Sequence, residues 1–331
     1  MHALRRNDYD VTNSVQVSST EAVASAVREL YRAHWPQAPF APVERAFEEF
    51  DLLFTGRLPG YLGVDTVYHD RQHTLDMTLA TARLEAGYER TSAAAMQLGA
   101  ERAAVGLIVS LFHDSGYIRE TSDAVHRNGA EFTRNHVSRG ERHLARLLPS
   151  VGLQHWVAVA GRVVHFTGYE IPIAEIALDD PRDRKLGHLV GTADLIAQMA
   201  DRCYLEKCRD RLYPEFVLGG IAAIPGLKGA PRVRYSSGLD LLRQTPQFVR
   251  ETRIDRLERE FEHAYRYVEP MYDGANPYIE AIDANLAYLD RVLRTGRWPM
   301  LRRNPPLFTA REGELPQVRG LMLDRLKTLW S

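Results

Sequence analysis

The apolar run from Ala103 to Phe112 ends abruptly in His113-Asp114, followed by Ser115-Gly116-Tyr117. Ten apolar or small residues in succession predict a buried helix. An imidazole and a carboxylate at its end are costly there, because a buried carboxylate without a counter-charge loses its hydration uncompensated. A metal cation removes that cost, and side chains from elsewhere must complete its coordination. Asp194 stands in the same predicament, an acid inside Leu189-Val190-Gly191-Thr192-Ala193-Asp194-Leu195-Ile196-Ala197. The segment Tyr68-His69-Asp70-Arg71-Gln72-His73-Thr74-Leu75-Asp76 adds two histidines one helical turn apart, with Asp76 predicted on their face. One of the pair can bind a metal while the other faces the reacting group. His136 starts a predicted amphipathic helix and His165 ends an apolar one. His143, two turns beyond His136 on the same face, is a rival for its place. Mixed imidazole and carboxylate donors suit Mn, Fe, Zn, Co or Mg.

Read in order, H…HD…H…H…D, these residues resemble the HD-domain metal-dependent phosphohydrolase superfamily. Tyr68-His69-x-x-x-His73-x-x-Asp76 is most similar to the cyclic nucleotide phosphodiesterase branch, whose motif Y-H-N-x-x-H-x-x-D has Asn where this chain has Asp70. The resemblance spans residues 59–293 in arrangement. It implies that His73, His113, Asp114 and Asp194 bind a first divalent ion. Asp114 would bridge to a second ion held by His136 and His165, and His69 would be the general acid. Ala193-Asp194-Leu195 also matches the branch's A-D-L around its last ligand. Two departures stand out. The branch has a further His after its His-Asp, and many other HD hydrolases have Lys, where this chain has Tyr117. The purine-selecting Q-x-x-F is approached by Gln244-Thr245-Pro246-Gln247-Phe248 without being matched.

The chemistry this implies is phosphoester hydrolysis. The substrate would be a phosphodiester such as a cyclic nucleotide, or a nucleotide phosphomonoester. Two divalent ions about 3.5–4 Å apart can hold a bridging hydroxide, neutralise phosphate oxygens and align the phosphorus for in-line attack. The leaving oxygen needs a proton, and an imidazole with an ordinary pKa near about 6.5 can deliver one at neutral pH. Asp76 or another nearby acid would keep His69 protonated. Arg139, Lys228, Arg232 and Arg234 are candidate phosphate contacts, and Gln247 and Phe248 candidate pocket walls. A second reading is a di-iron oxygenase of the same superfamily acting on a small polyol or phosphonate, which needs no acid at His69. A third is a non-catalytic metal-binding regulatory module, against which stands the presence of all six ligand positions.

These side chains must be brought together by helices. Helical periodicity dominates and predicts an all-α, single multi-helix domain of the HD/phosphodiesterase type over residues 18–296. Residues 1–17 form a loose arm, and residues 297–331 an extension suited to docking a partner or a second copy in a homodimer. Helices are predicted over 18–35, opened by a Ser18/Glu21 capping box, then over 42–54, 68–88, 93–113, 124–148, 154–165 and 183–212. A further amphipathic helix spans 254–268. Asn276-Pro277 starts the next, which Gly296 stops, and the last covers 315–330. No strand pair is predicted. Residues 216–238 are glycine-rich and basic without an acid, a loop able to close over an anion.

The composition, 45% hydrophobic with 42 basic against 43 acidic side chains, supports a large core and gives no charge excess for nucleic acid or a membrane surface. No apolar run reaches the ~20 residues of a spanning helix, and Arg5-Arg6 is followed by no apolar stretch. A cytoplasmic protein with Cys203 and Cys208 as reduced thiols is expected, acting on a small phosphoester.

Overall fold

The computed structural model describes residues 5–226 and 231–330. They begin with α1 (Thr20–His34), α2 (Ala41–Phe54), α3 (Arg71–Thr91) and α4 (Ala100–Phe112). Next come α5 (His136–Ser150), α6 (Val157–Val163), α7 (Pro181–Ala200), α8 (Tyr204–Lys207) and α9 (Tyr213–Leu218). A short antiparallel pair, β1 (Ala223–Ile224) and β2 (Arg232–Val233), precedes α10 (Gly238–Glu251), α11 (Pro277–Thr295) and α12 (Glu314–Trp330). The described chain is thus mostly helical, with one minimal sheet that the sequence did not announce. None of its helices is long and apolar enough to cross a membrane.

α3, α4 and α7 form the centre and are buried on nearly every side. α4 achieves this with apolar residues. α3 carries threonines instead, and satisfies them internally: the Thr78 and Thr81 hydroxyls donate to the carbonyls of Thr74 and Met77 at 2.8 and 3.1 Å. Around this centre pack fully buried Phe50, Phe54, Phe112 and Phe166, each worth about 3–5 kcal/mol against truncation to Ala.

Helix starts follow local chemistry. Ser19, one residue later than expected, caps α1 by accepting the Ala22 N–H, while the Ser18 hydroxyl turns to Asp8. Asn276 accepts the Ile279 N–H at the head of α11, and Gly296 closes that helix at φ 63°. Asp70 caps α3 by accepting the His73 N–H at 3.2 Å. Tyr68 and His69 therefore precede the helix and do not lie on it, a correction to the predicted start.

Other predicted helices are broken by tertiary hydrogen bonds. The expected helix over 124–148 begins only at His136, because Asn128 and Gly129 are held to Asp65 by bonds of 2.9 and 2.7 Å. The expected helix over 183–212 stops at Ala200. Asp201 caps the restart through the Cys203 N–H, and the chain runs on through a π-helical turn, Cys208–Leu212, into α9. The stripe over 254–268 divides in two. Thr252–Glu260 continues α10 with π geometry, left-handed Glu262 and His263 interrupt it, and Ala264–Met271 is a 3-10 turn.

The described residues near both ends are more firmly seated than expected. Asp10 and Val17 are fully buried, and Asp10 pairs with buried Arg83 at 2.6 Å. Leu301, Val318 and Leu321 are buried, with α12 lying against α9. Cys203 and Cys208 are buried free thiols.

Candidate metal centre

Four elements meet at one point: the head of α3, the end of α4, the head of α5 and the middle of α7. His73 comes from the first turn of α3, His113-Asp114 from the residues just past α4, and Asp194 from α7. Their donor atoms converge. His113 Nε2 lies 3.4 Å from His73 Nε2 and 3.1 Å from Asp114 Oδ2. His73 Nε2 lies 3.4 Å from Asp114 Oδ2 and 3.2 Å from Asp194 Oδ1, and His113 Nε2 is 3.9 Å from that same Asp194 oxygen. Ligand atoms about 2.1 Å from one ion stand roughly 3.0–3.5 Å from each other, the spacing found among His73, His113 and Asp114, while Asp194 Oδ1 stands wider from His113. His73, His113 and Asp114 form a buried group that could hold a metal.

The outer contacts prepare the rings for that role. His113 Nδ1 donates to the Ser110 carbonyl at 2.7 Å, which leaves the lone pair of the neutral ring on Nε2. Burial alone would lower the His113 pKa, but the Asp114 and then Asp194 carboxylates raise it to about 9. Burial likewise would raise Asp114, and the His113 imidazolium, with His69 and His73, holds it far below the usual carboxylate range. In this arrangement a proton sits where a metal cation would serve.

Asp114 presents its other oxygen to a third imidazole. Oδ1 lies 3.7 Å from His136 Nε2, and His136 Nδ1 donates to the Thr133 carbonyl at 2.9 Å. Burial, opposed by Asp114 and reinforced by His69, lowers the His136 pKa and favours the neutral ring, whose lone pair is on Nε2 because Nδ1–H donates to Thr133. The approach depends on Gly116, where an added Cβ would stand 1.8 Å from the His136 carbonyl oxygen. His165 is buried in the turn after α6 with Nε2 3.3 Å from Glu141 Oε2. Its Nδ1 is buried without a hydrogen-bond partner among the described residues.

His69 stands at the edge of this group, its ring centre 5.9 Å from that of His73 and 6.4 Å from that of His136. Its acid partner is Glu215 of α9, not Asp76 of α3. His69 Nδ1 is 2.6 Å from Glu215 Oε2, while Glu215 Oε1 accepts the backbone N–H groups of Val67 and Tyr68 at 2.5 and 2.6 Å. Burial would lower the His69 pKa; Glu215 above all, then Asp114 and Asp194, raises it instead. Asp76 lines an adjoining polar pocket with Tyr68, His73, Gln198, Asp201, Tyr204 and Lys207, and burial pushes its pKa up to about 7.

Sequence reasoning missed Glu215, although the argument that selected Asp194 applies equally to an acid between Tyr213-Pro214 and Phe216-Val217. It also left Tyr117 without a role. That ring is stacked between two imidazoles, 4.6 Å from His69 and 4.3 Å from His136.

The candidate substrate contacts are dispersed. Arg139 donates to the carbonyls of Gly116 at 2.7 Å and Ile118 at 3.1 Å, bracing the turn behind Asp114. Arg232 and Arg234 are exposed on and beside β2. Gln247 and Phe248 are on the exposed side of α10, Gln247 bonded to Glu251. Lys228 lies outside the described residues. His143 packs on Tyr61 among the arginines of α5, and burial with those charges lowers its pKa to about 4. Comparison of the chain with family models, with curated proteins and with solved structures finds no match.

Proposed function

We propose that the protein is a metal-dependent phosphohydrolase with an HD-type centre, cleaving a phosphodiester or nucleotide phosphomonoester. The observation that carries the reading is the pairing of a carboxylate-held His69 with a cluster of metal-spaced ligands beside it. The buried His73, His113 and Asp114 group supports binding of a divalent ion. His73, His113, Asp114 and Asp194 would hold one, and Asp114 Oδ1 with His136 and His165 a second. Ions bound there would neutralise phosphate oxygens and acidify water.

The remaining work falls to the chain. His69 keeps its proton because Glu215 occupies Nδ1, which leaves Nε2–H as the group that can protonate a departing oxygen. Glu215 is fixed by the two backbone N–H groups it accepts, so the imidazole has one orientation. Tyr117, packed flat on its face, blocks rotation of the ring and keeps water from that side. A proton donor held in this way serves phosphoester cleavage and has no evident use in an oxygenase centre.

Asp114→Ala tests the reading. It should lose bound metal by elemental analysis and lose activity on a panel of phosphomonoesters and phosphodiesters. His69→Ala should keep its metal and lose about 10²–10⁴-fold in rate. Full metal and full activity in Asp114→Ala would refute the assignment, as would oxygen consumption by an iron-loaded protein that leaves the whole panel intact.

A further inference from the structure

His69 and Glu215 are 146 positions apart in sequence, so their relative placement needs an external tie. The chain from Leu301 to Ala310 supplies one, running as an extended strap between the two segments that carry them. On the His69 side, Ala310 N–H donates to the Val64 carbonyl at 2.8 Å. Phe308 N–H donates to Asp70 Oδ2 at 3.3 Å, and the Phe308 carbonyl accepts the Arg71 N–H at 3.3 Å. On the Glu215 side, Arg211 donates to the carbonyls of Pro305 and Pro306. Arg209 donates to that of Leu301 at 3.0 Å, and Glu206 accepts the Arg303 N–H at 3.2 Å.

Asp70 is where the two sides are joined. It is fully buried, and both its oxygens are engaged. Oδ1 caps α3, while Oδ2 meets the strap and lies 3.7 Å from the Arg211 guanidinium. The groups that meet its oxygens, the His73 and Phe308 N–H and the Arg211 guanidinium, are all donors. A carboxylate accepts at both oxygens, whereas an asparagine turned to cap the helix would present its NH2 to the Phe308 N–H and to Arg211. We infer that the 301–310 strap, clasped by Asp70 and Arg211, is a positioning device for the His69–Glu215 pair. Asp70 is an aspartate because only a carboxylate caps α3 and holds the strap at once. For catalysis this rests on the proposed hydrolase reading; the clasp itself does not.

The test is Asp70→Asn, with Arg211→Gln and the double variant beside it. Amide hydrogen exchange at Val67 and Tyr68, whose N–H groups donate to Glu215, reports the placement without any substrate. Exchange at both should quicken about tenfold in Asp70→Asn and in Arg211→Gln, while protection in α1 and α11 holds. The double variant should fall short of the sum of the two, because each single change leaves the other partner uncompensated. Metal content should be retained, and kcat should drop by about tenfold, toward the ~10²-fold that a 1 Å misplacement costs, with KM little changed. Folded variants with wild-type exchange at both amides overturn the clasp, as does strict additivity. Quickened exchange in a protein that cleaves no phosphoester keeps the clasp and removes the hydrolase reading. Arg211→Gln carries the test alone should Asp70→Asn fail to fold.

Discussion

Replacing Glu215 by Gln isolates the proton on His69. The side chain keeps its size, and an amide oxygen can still accept the Val67 and Tyr68 N–H groups that now lie 2.5 and 2.6 Å from Oε1. What changes is the atom facing His69 Nδ1, 2.6 Å from Oε2 in the wild type. An amide NH2 donates, so Nδ1 must accept and the neutral ring is favoured. Burial lowers the His69 pKa, and Glu215, with Asp114 and Asp194, more than offsets it. Without that charge burial loses its chief counterweight, and the His69 pKa falls. The rate should therefore fall more at pH 8 than at pH 6, and by no more than the ~10²–10⁴-fold that a general acid supplies. The assay is kcat against pH on two phosphoesters, one with a poor leaving group and one whose leaving group departs unprotonated. The alkaline limb should move to lower pH for the first and stay for the second, with metal content unaltered. An unmoved limb, or an equal loss at every pH, would refute the role given to Glu215.

Two further predictions concern stability. Asp10→Ala strands the buried Arg83 and should cost about 3–5 kcal/mol in chemical denaturation. Burial would raise the Asp10 pKa, but Arg83 and the bonds from Thr12 and Val15 lower it from 3.8 to about 2. Its contribution, roughly 2 kcal/mol, is thus present above pH 3.8 and lost as pH falls toward 2, and the acid limb of wild-type stability should flatten in the variant. Glu85 has the opposite sign. Its carboxyl is buried in α3, Oε1 has no partner among the described residues, and burial, with Glu89, raises its pKa well above 4.5. Above pH 4.5 the unfolded chain ionises this group while the folded one keeps its proton, so stability falls as pH rises. Glu85→Gln should gain stability relative to wild type, more at pH 8 than at pH 5; an equal difference at the two pH values would contradict it.

The sequence by itself determined the helical class and the side-chain types of the buried His/Asp group. Burial of His113, Asp114 and Asp194 could be read from apolar neighbours, because desolvation of an acid is a local cost wherever the chain folds. The starts of α1 and α11 were legible to within a residue, because capping joins a side chain to backbone only a few residues away. What lay beyond local reading depended on groups distant in the chain. Asp65 breaks the helix expected over 124–148, and Arg83 draws the N-terminal arm inward through Asp10. The acid beside His69 proved to be Glu215, because the cap at Asp70 leaves His69 in a loop that faces α9 while Asp76 follows the helix elsewhere. Composition and periodicity describe what a segment must bury. Which partner a buried charge meets is settled only when remote segments pack, since the chain between them places no limit on that choice.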